Sequence, residues 1–74
     1  MTLVDLKPGE KAIIQSIEGG RHFRQRLFNM GIIPGEEVLC EKRGNFRPMV
    51  IRINGTKLML GFGMLSRIHV REKE

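Results

Sequence analysis

The stretch MVIRINGTKLML, residues 49–60, decides the fold. Two runs of alternating side chains flank Asn54-Gly55. A two-residue type I′ loop needs positive φ at both positions, which Asn and Gly tolerate. The register follows at once: Ile53 faces Thr56, Arg52 faces Lys57, Ile51 faces Leu58, Val50 faces Met59 and Met49 faces Leu60. Successive pairs point to opposite faces. One face carries Met49, Ile51, Ile53, Leu58 and Leu60 and is assigned to the core. The other carries Val50, Arg52, Lys57 and Met59. Arg52 and Lys57 then stand as like charges directly opposite, which costs up to about 1 kcal/mol. A basic pair between two apolar groups is a candidate contact surface for an acidic, partly apolar partner. The alternative is a solvated face with two splayed side chains, since surface charges contribute little to stability.

Working outward, turn signals cut the chain at short intervals: Lys7-Pro8-Gly9, Gly19-Gly20, Pro34-Gly35, Arg43-Gly44-Asn45 and Gly61-Phe62-Gly63. Short apolar runs between such signals predict a small all-β domain. Strands are expected over Glu10–Ile17, Glu37–Lys42, Met49–Ile53, Thr56–Leu60 and Arg67–Arg71. Pro8-Gly9 and Pro34-Gly35 read as type II turns, with Pro setting φ and Gly accepting φ > 0. Each aims the strand that follows. One stretch reads as helix. In Arg21–Met30, the residues Phe23, Leu27 and Met30 fall at i, i+4 and i+7 on one face. Gly31 follows, suited to a left-handed C-terminal residue. Arg21 and Arg24 lie on the outer face. Phe28 departs from the apolar stripe, which makes it a candidate exposed anchor. Five short strands and one short helix suit a strongly bent barrel, with a core including Ile14, Ile17, Leu27, Val38, Ile51, Leu58, Leu60 and Val70.

The whole is 74 residues, read as one domain over 1–74. A chain of this size buries only about 60% of its unfolded surface and has no room for a dinucleotide fold. Hydrophobic residues at 41% and charged residues at 28% allow a packed core. The formal charge is +5, which favours an acidic partner. The surplus lies in the second half, with eight basic and three acidic residues over 38–74 against five and five over 1–37. Between Lys42 and Lys57 there are five basic residues and no acid. The single cysteine, Cys40, forms no internal disulfide, which points to a reducing compartment. No run reaches the ~20 apolar residues of a membrane span, and the N-terminus lacks the pattern of a signal peptide.

Several of these patterns occur together in one family. Leu6-Lys7-Pro8-Gly9-Glu10, Ala12-Ile13-Ile14 and Gly19-Gly20 form the opening, and Arg26-Leu27 precedes Met30-Gly31-Ile32, Pro34-Gly35 and Val38. Leu58-Met59-Leu60-Gly61, Met64 and Ile68-His69-Val70 form the close. In order and spacing, over residues 3 to 71, the chain resembles the FeoA-like domains. The resemblance implies an SH3-like five-stranded β-barrel with one short α-helix. It implies a small cytoplasmic accessory protein of bacterial ferrous iron uptake, without enzymatic activity. The expected partner is the cytosolic part of a FeoB-type transporter, through which the chain would lie peripheral to the inner membrane. Weak self-association is compatible with this role.

An iron-linked protein prompts a search for ligands. His22, Cys40 and His69, with Met30, Met49, Met59 and Met64, are the candidates, and none shows a recognised metal spacing. No metal site and no cofactor is expected. The acidic residues lie scattered near turns and assemble no nucleophile, base and orienting group, so no catalytic residue is assigned. The expected protein-binding residues are Arg21, Arg24 and Phe28 on the helix, and Val50, Arg52, Lys57 and Met59 on the hairpin. The competing function is a basic barrel binding structured RNA through residues 42–57. It is disfavoured by the shortage of stacking aromatics, where only Phe46 and Phe62 are available.

Overall fold

The computed structural model describes residues 1–44 and 48–73. Five antiparallel strands run β1 (Lys11–Ile17), β2 (Glu37–Lys42), β3 (Met49–Ile53), β4 (Thr56–Leu60) and β5 (Ile68–Glu72). They lie in the order β4-β3-β2-β1-β5. Helix α1 (Arg21–Asn29) follows β1, and a one-turn helix α2 (Phe62–Leu65) links β4 to β5. All five strands feed one buried cluster, from Ala12 and Ile14 through Val38, Cys40, Met49, Ile51, Ile53 and Leu60 to Ile68 and Val70. A sheet whose outermost strands share one core must curl around it.

The hairpin register is the one its sequence predicts, pair for pair from Met49↔Leu60 to Ile53↔Thr56. Asn54 and Gly55 take φ of 50° and 74°, the left-handed pair that a type I′ loop demands. Both Pro-Gly turns close with the expected hydrogen bond. The Glu10 amide donates to the Lys7 carbonyl at 3.0 Å and the Glu36 amide to that of Ile33 at 3.1 Å. The second turn docks on β1, with the Gly35 amide donating to the Ile14 carbonyl at 2.7 Å.

Helix α1 ends one residue earlier than its apolar spacing suggests, with Met30 as its cap. The Gly31 amide donates to the Phe28 carbonyl and the Ile32 amide to the Leu27 carbonyl, each at 3.0 Å. This double closure is a Schellman motif, and it leaves Leu27 and Ile32 fully buried together. Leu27 is the one α1 residue wholly inside, with Phe23 and Met30 packed half-buried beside it.

Four differences from the sequence expectation have physical causes. Strands β1 and β5 each begin one residue later than expected, because the Pro8-Gly9 turn uses Glu10 and the α2 exit uses Arg67. Leu58 and Ile17, both expected in the core, are only half-buried. Leu58 sits on an edge strand with a neighbour on one side, and Ile17 ends β1 at an open groove. A 3₁₀ turn at Leu3–Asp5, unread in the sequence, buries Leu3 and Leu6. It is held by a capping box in which the Val4 amide donates to Thr2 Oγ1 and the Thr2 amide to Asp5 Oδ2. Helix α2, in a stretch whose glycines predict a turn, contributes buried Leu65.

Candidate functional site

Helix α1 reads RHFRQRLFN and contains no acid. Its outer face presents Arg21 and Arg24, and Arg26 lies on the other flank of the helix; all three are exposed. None of the three forms an ion pair with a described residue. The first turn has no acidic residue, and its N-cap, Gly20, offers no side-chain acceptor. Helix N-termini favour negative charge by about 0.3–1 kcal/mol per group, so arginine there runs against the local preference. Arg67 packs on this turn, its guanidinium 5.2 Å over the Phe23 ring, a contact worth about 0.5–1 kcal/mol when exposed.

Beside this face lies a groove of about 260 Å³, lined by Gln15, Ser16, Ile17, Arg24, Phe28 and Pro34. A bulge in β1 lies along it. Ile14 pairs with Val70 and Ser16 with His69, leaving Gln15 extra. Such an extra residue bends a strand and re-aims its side chains, here toward α1 and the Pro34 turn. Phe28 stands at the rim with 51% of its surface exposed. Arg24 and Phe28, singled out on the helix, therefore converge on one feature. The opposite wall was not legible in the sequence, since no composition signal marks the bulge.

The hairpin face is arranged differently. Arg52 and Lys57 face each other, but both reach Glu41. Arg52 Nε lies 2.6 Å from Glu41 Oε1 and Lys57 Nζ 3.3 Å from Oε2. The register of β2 on β3 shifts between Cys40 and Lys42, and Glu41 occupies that bulge. The expected like-charge repulsion is thereby relieved by one shared carboxylate. The Arg52 hydrogen bond, with help from Lys57, holds the Glu41 carboxyl below its usual range. Val50 is half-buried and Met59 is 72% exposed.

With the fold and both surfaces described, comparison with known proteins is direct. The FeoA domain model matches residues 1–72. The chain belongs to the FeoA family. A protein of Methanocaldococcus jannaschii, named as a candidate Fe(2+) transport protein A, is 32% identical over 68 residues, 92% of this chain and 82% of that one. The crystal structure of an iron uptake regulatory protein, FeoA, superposes with a TM-score of 0.90 at 32% identity, covering 99% of this chain and 100% of that one. The zinc complex of Stenotrophomonas maltophilia FeoA, described as a prokaryotic SH3 domain protein, gives 0.82 at 25% identity over 95% and 88%. The family is associated with ferrous iron transport, and the expectation of an SH3-like, mainly β fold is met.

Within this FeoA domain the candidate metal donors stand apart. Cys40 is 0% exposed, and burial pushes its thiol pKa up. His69 Nε2 lies 3.2 Å from Glu18 Oε1. His22 is exposed on α1, Met49 is buried and Met59 lies on the surface. No three of His, Cys, Asp and Glu gather among the described residues. No helix among them is long and apolar enough to cross a membrane. The RNA reading gains no support. Of the basic run 42–57, Arg43 is turned onto the Val4 and Leu6 carbonyls, while Arg52 and Lys57 are bound to Glu41. Phe46 lies outside the described residues, and Phe62 is 70% exposed.

Proposed function

We propose that this FeoA-family chain is a non-enzymatic cytosolic accessory of ferrous iron uptake that docks on the cytosolic part of a FeoB-type transporter. The observation that carries the docking surface is the α1 face: two exposed arginines, Arg21 and Arg24, with no acidic partner among the described residues, beside a groove rimmed by Phe28. Charge of this kind steers encounter and sets salt sensitivity. The exposed aromatic beside a recess is the kind of group that anchors an interface. The Stenotrophomonas relative, described as a candidate activating factor of ferrous iron transport, supports the pathway. The hairpin face of Val50, Arg52, Lys57 and Met59 is the weaker candidate for an acidic partner, because both its cations already share Glu41.

The test is a titration of the transporter's cytosolic domain with the protein at low and at high salt. Binding should weaken as salt rises. Arg21→Glu with Arg24→Glu, and Phe28→Ala separately, should each raise Kd about fivefold or more, the effect of losing over 1 kcal/mol. Circular dichroism should show both variants folded, since neither side chain is buried. If both bind as tightly as the unmutated protein, α1 is not the docking face.

A further inference from the structure

The two edges of the sheet are treated differently. The outer edge of β5 is covered by the chain itself, where Thr2 bridges His69 and the Val70 amide donates to the Met1 carbonyl at 2.9 Å. Strand β4 pairs with β3 alone. Its antiparallel register shows which groups remain. The residues flanking a two-residue loop exchange both hydrogen bonds, and such pairs then alternate with non-bonded ones. Thr56, Leu58 and Leu60 therefore turn their amides and carbonyls toward β3. Lys57 and Met59 turn theirs outward, and no described turn or loop meets them.

Proteins blunt such edges with charge, proline, bulges or a covering segment. β4 has no proline, and its pairing with β3 runs without a break. Its one charge, Lys57, is held by Glu41. Met59 and nearby Phe62 are among the most exposed apolar side chains, at 72% and 70%.

We propose that this edge pairs, antiparallel, with the β4 edge of a second copy of the chain. A two-fold axis through Leu58 sets Lys57 opposite the second copy's Met59, and the reverse. Each pair exchanges both backbone hydrogen bonds, four in all, so every outward group is matched. Axes through Lys57 or Met59 would satisfy fewer, and the first would oppose two lysines. In the Leu58 register each lysine stem lies along a methionine, as long cationic side chains prefer. The charge argument favours self-pairing over a foreign strand. Glu41 sits with Arg52 and Lys57 in each copy, so this patch brings little of the net +5 to the contact. An incoming acidic strand would find its counter-charges already taken. The contact is small, hence weak and concentration-dependent. It uses none of the α1 residues proposed for docking.

Sedimentation velocity from about 10 μM to 1 mM should show a mass rising from 8.5 kDa toward twice that value. Met59→Pro removes only an outward amide, which an edge strand tolerates, and should weaken self-association at least tenfold. Met59→Lys, which opposes two lysines, should do the same without touching the backbone. Leu58→Cys should form a disulfide dimer on mild oxidation, because directly opposed non-bonded residues lie about 4.5 Å apart, within disulfide reach. Thr56→Cys should not, its two copies being separated by four residues of strand, about 13 Å. A monomer throughout this range overturns the proposal, as does equal cross-linking of both cysteine variants. Self-association unchanged by both Met59 substitutions does so too. So does a protein that stays monomeric and whose β4 amides gain exchange protection only on adding the transporter's cytosolic domain, which would assign the edge to that partner.

Discussion

Replacing glycine by alanine should have opposite signs at two positions of this chain. Gly31 closes α1 with φ of 92°, and nothing lies within 4 Å of where a Cβ would stand. Alanine there meets no clash, so its whole cost is conformational. An L-residue in the left-handed region costs roughly 1–2 kcal/mol. Gly63 lies inside α2 with negative φ and equally open surroundings. There alanine removes freedom from the unfolded chain and suits a helix, for a gain of about 0.4–1 kcal/mol. In a domain of this size, 1 kcal/mol moves the thermal midpoint by about 4–8 °C. Gly31→Ala should therefore lower Tm by about 4–16 °C, and Gly63→Ala should raise it by about 2–8 °C. Scanning calorimetry or thermal circular dichroism reads both. A Gly31→Ala protein that melts with the unmutated one refutes the claim that the Schellman closure needs this glycine. The assay isolates backbone conformation, because both sites are free of steric contact.

Leu27→Ala should cost about 2–5 kcal/mol by urea titration, since Leu27 alone of α1 is fully buried; a loss below about 1 kcal/mol would mean the helix is held elsewhere. Cys40 should resist thiol reagents in the folded protein and react on denaturation, as its burial and raised pKa require; rapid native labelling would contradict the packing. Glu41 has a carboxyl pKa lowered from 4.5 by Arg52 and Lys57. Its contribution is therefore complete above the unfolded value and lost as pH falls through the folded one. Urea midpoints should decline with acid below about pH 4.5, and Glu41→Gln should flatten that decline. A midpoint profile identical in the two proteins would remove Glu41 from the linkage.

What could be read from the sequence was what local chemistry specifies. Asn54-Gly55 admits one loop type, and one loop type admits one register, so the hairpin and its faces were legible residue by residue. The Phe23, Leu27, Met30 stripe ending at Gly31 specified α1 in the same way. Three features were not legible. Leu3 begins a three-residue 3₁₀ turn and Leu6 caps it, a segment too short to show any period. Helix α2 has glycine at its cap, Gly61, and at Gly63 within it, and those residues read as loop when the element is one turn long. The bulges at Gln15 and Glu41 carry no local mark at all. They bend strands that wrap one shared core, which is a property of the whole sheet. The candidate site divides along the same line. Arg24 and Phe28 were visible as off-stripe residues of a helix, whereas the wall opposite them includes the β1 bulge, which they do not mark.

Charge shows most clearly how local pairing revises a composition argument. The surplus of cations lies in the second half of the chain, which would place an acidic partner there. Yet those cations are largely engaged within the fold. Arg43 donates to the Val4 and Leu6 carbonyls, Arg52 and Lys57 share Glu41, Arg67 covers Phe23, and Lys73 reaches Glu37 at 2.9 Å. The first half is formally neutral, but its acids serve elsewhere: Asp5 and Glu10 accept backbone amides, Glu18 meets His69, and Glu37 meets Lys11 and Lys73. Arg21, Arg24 and Arg26 are left on α1 without a counter-ion among the described residues. Net charge sets the long-range field, which salt screens within about 10 Å. At contact distance the unpaired guanidinium matters, because its hydrogen-bond donors remain available. The surface best suited to an acidic partner thus lies in the half of the chain whose charges sum to zero.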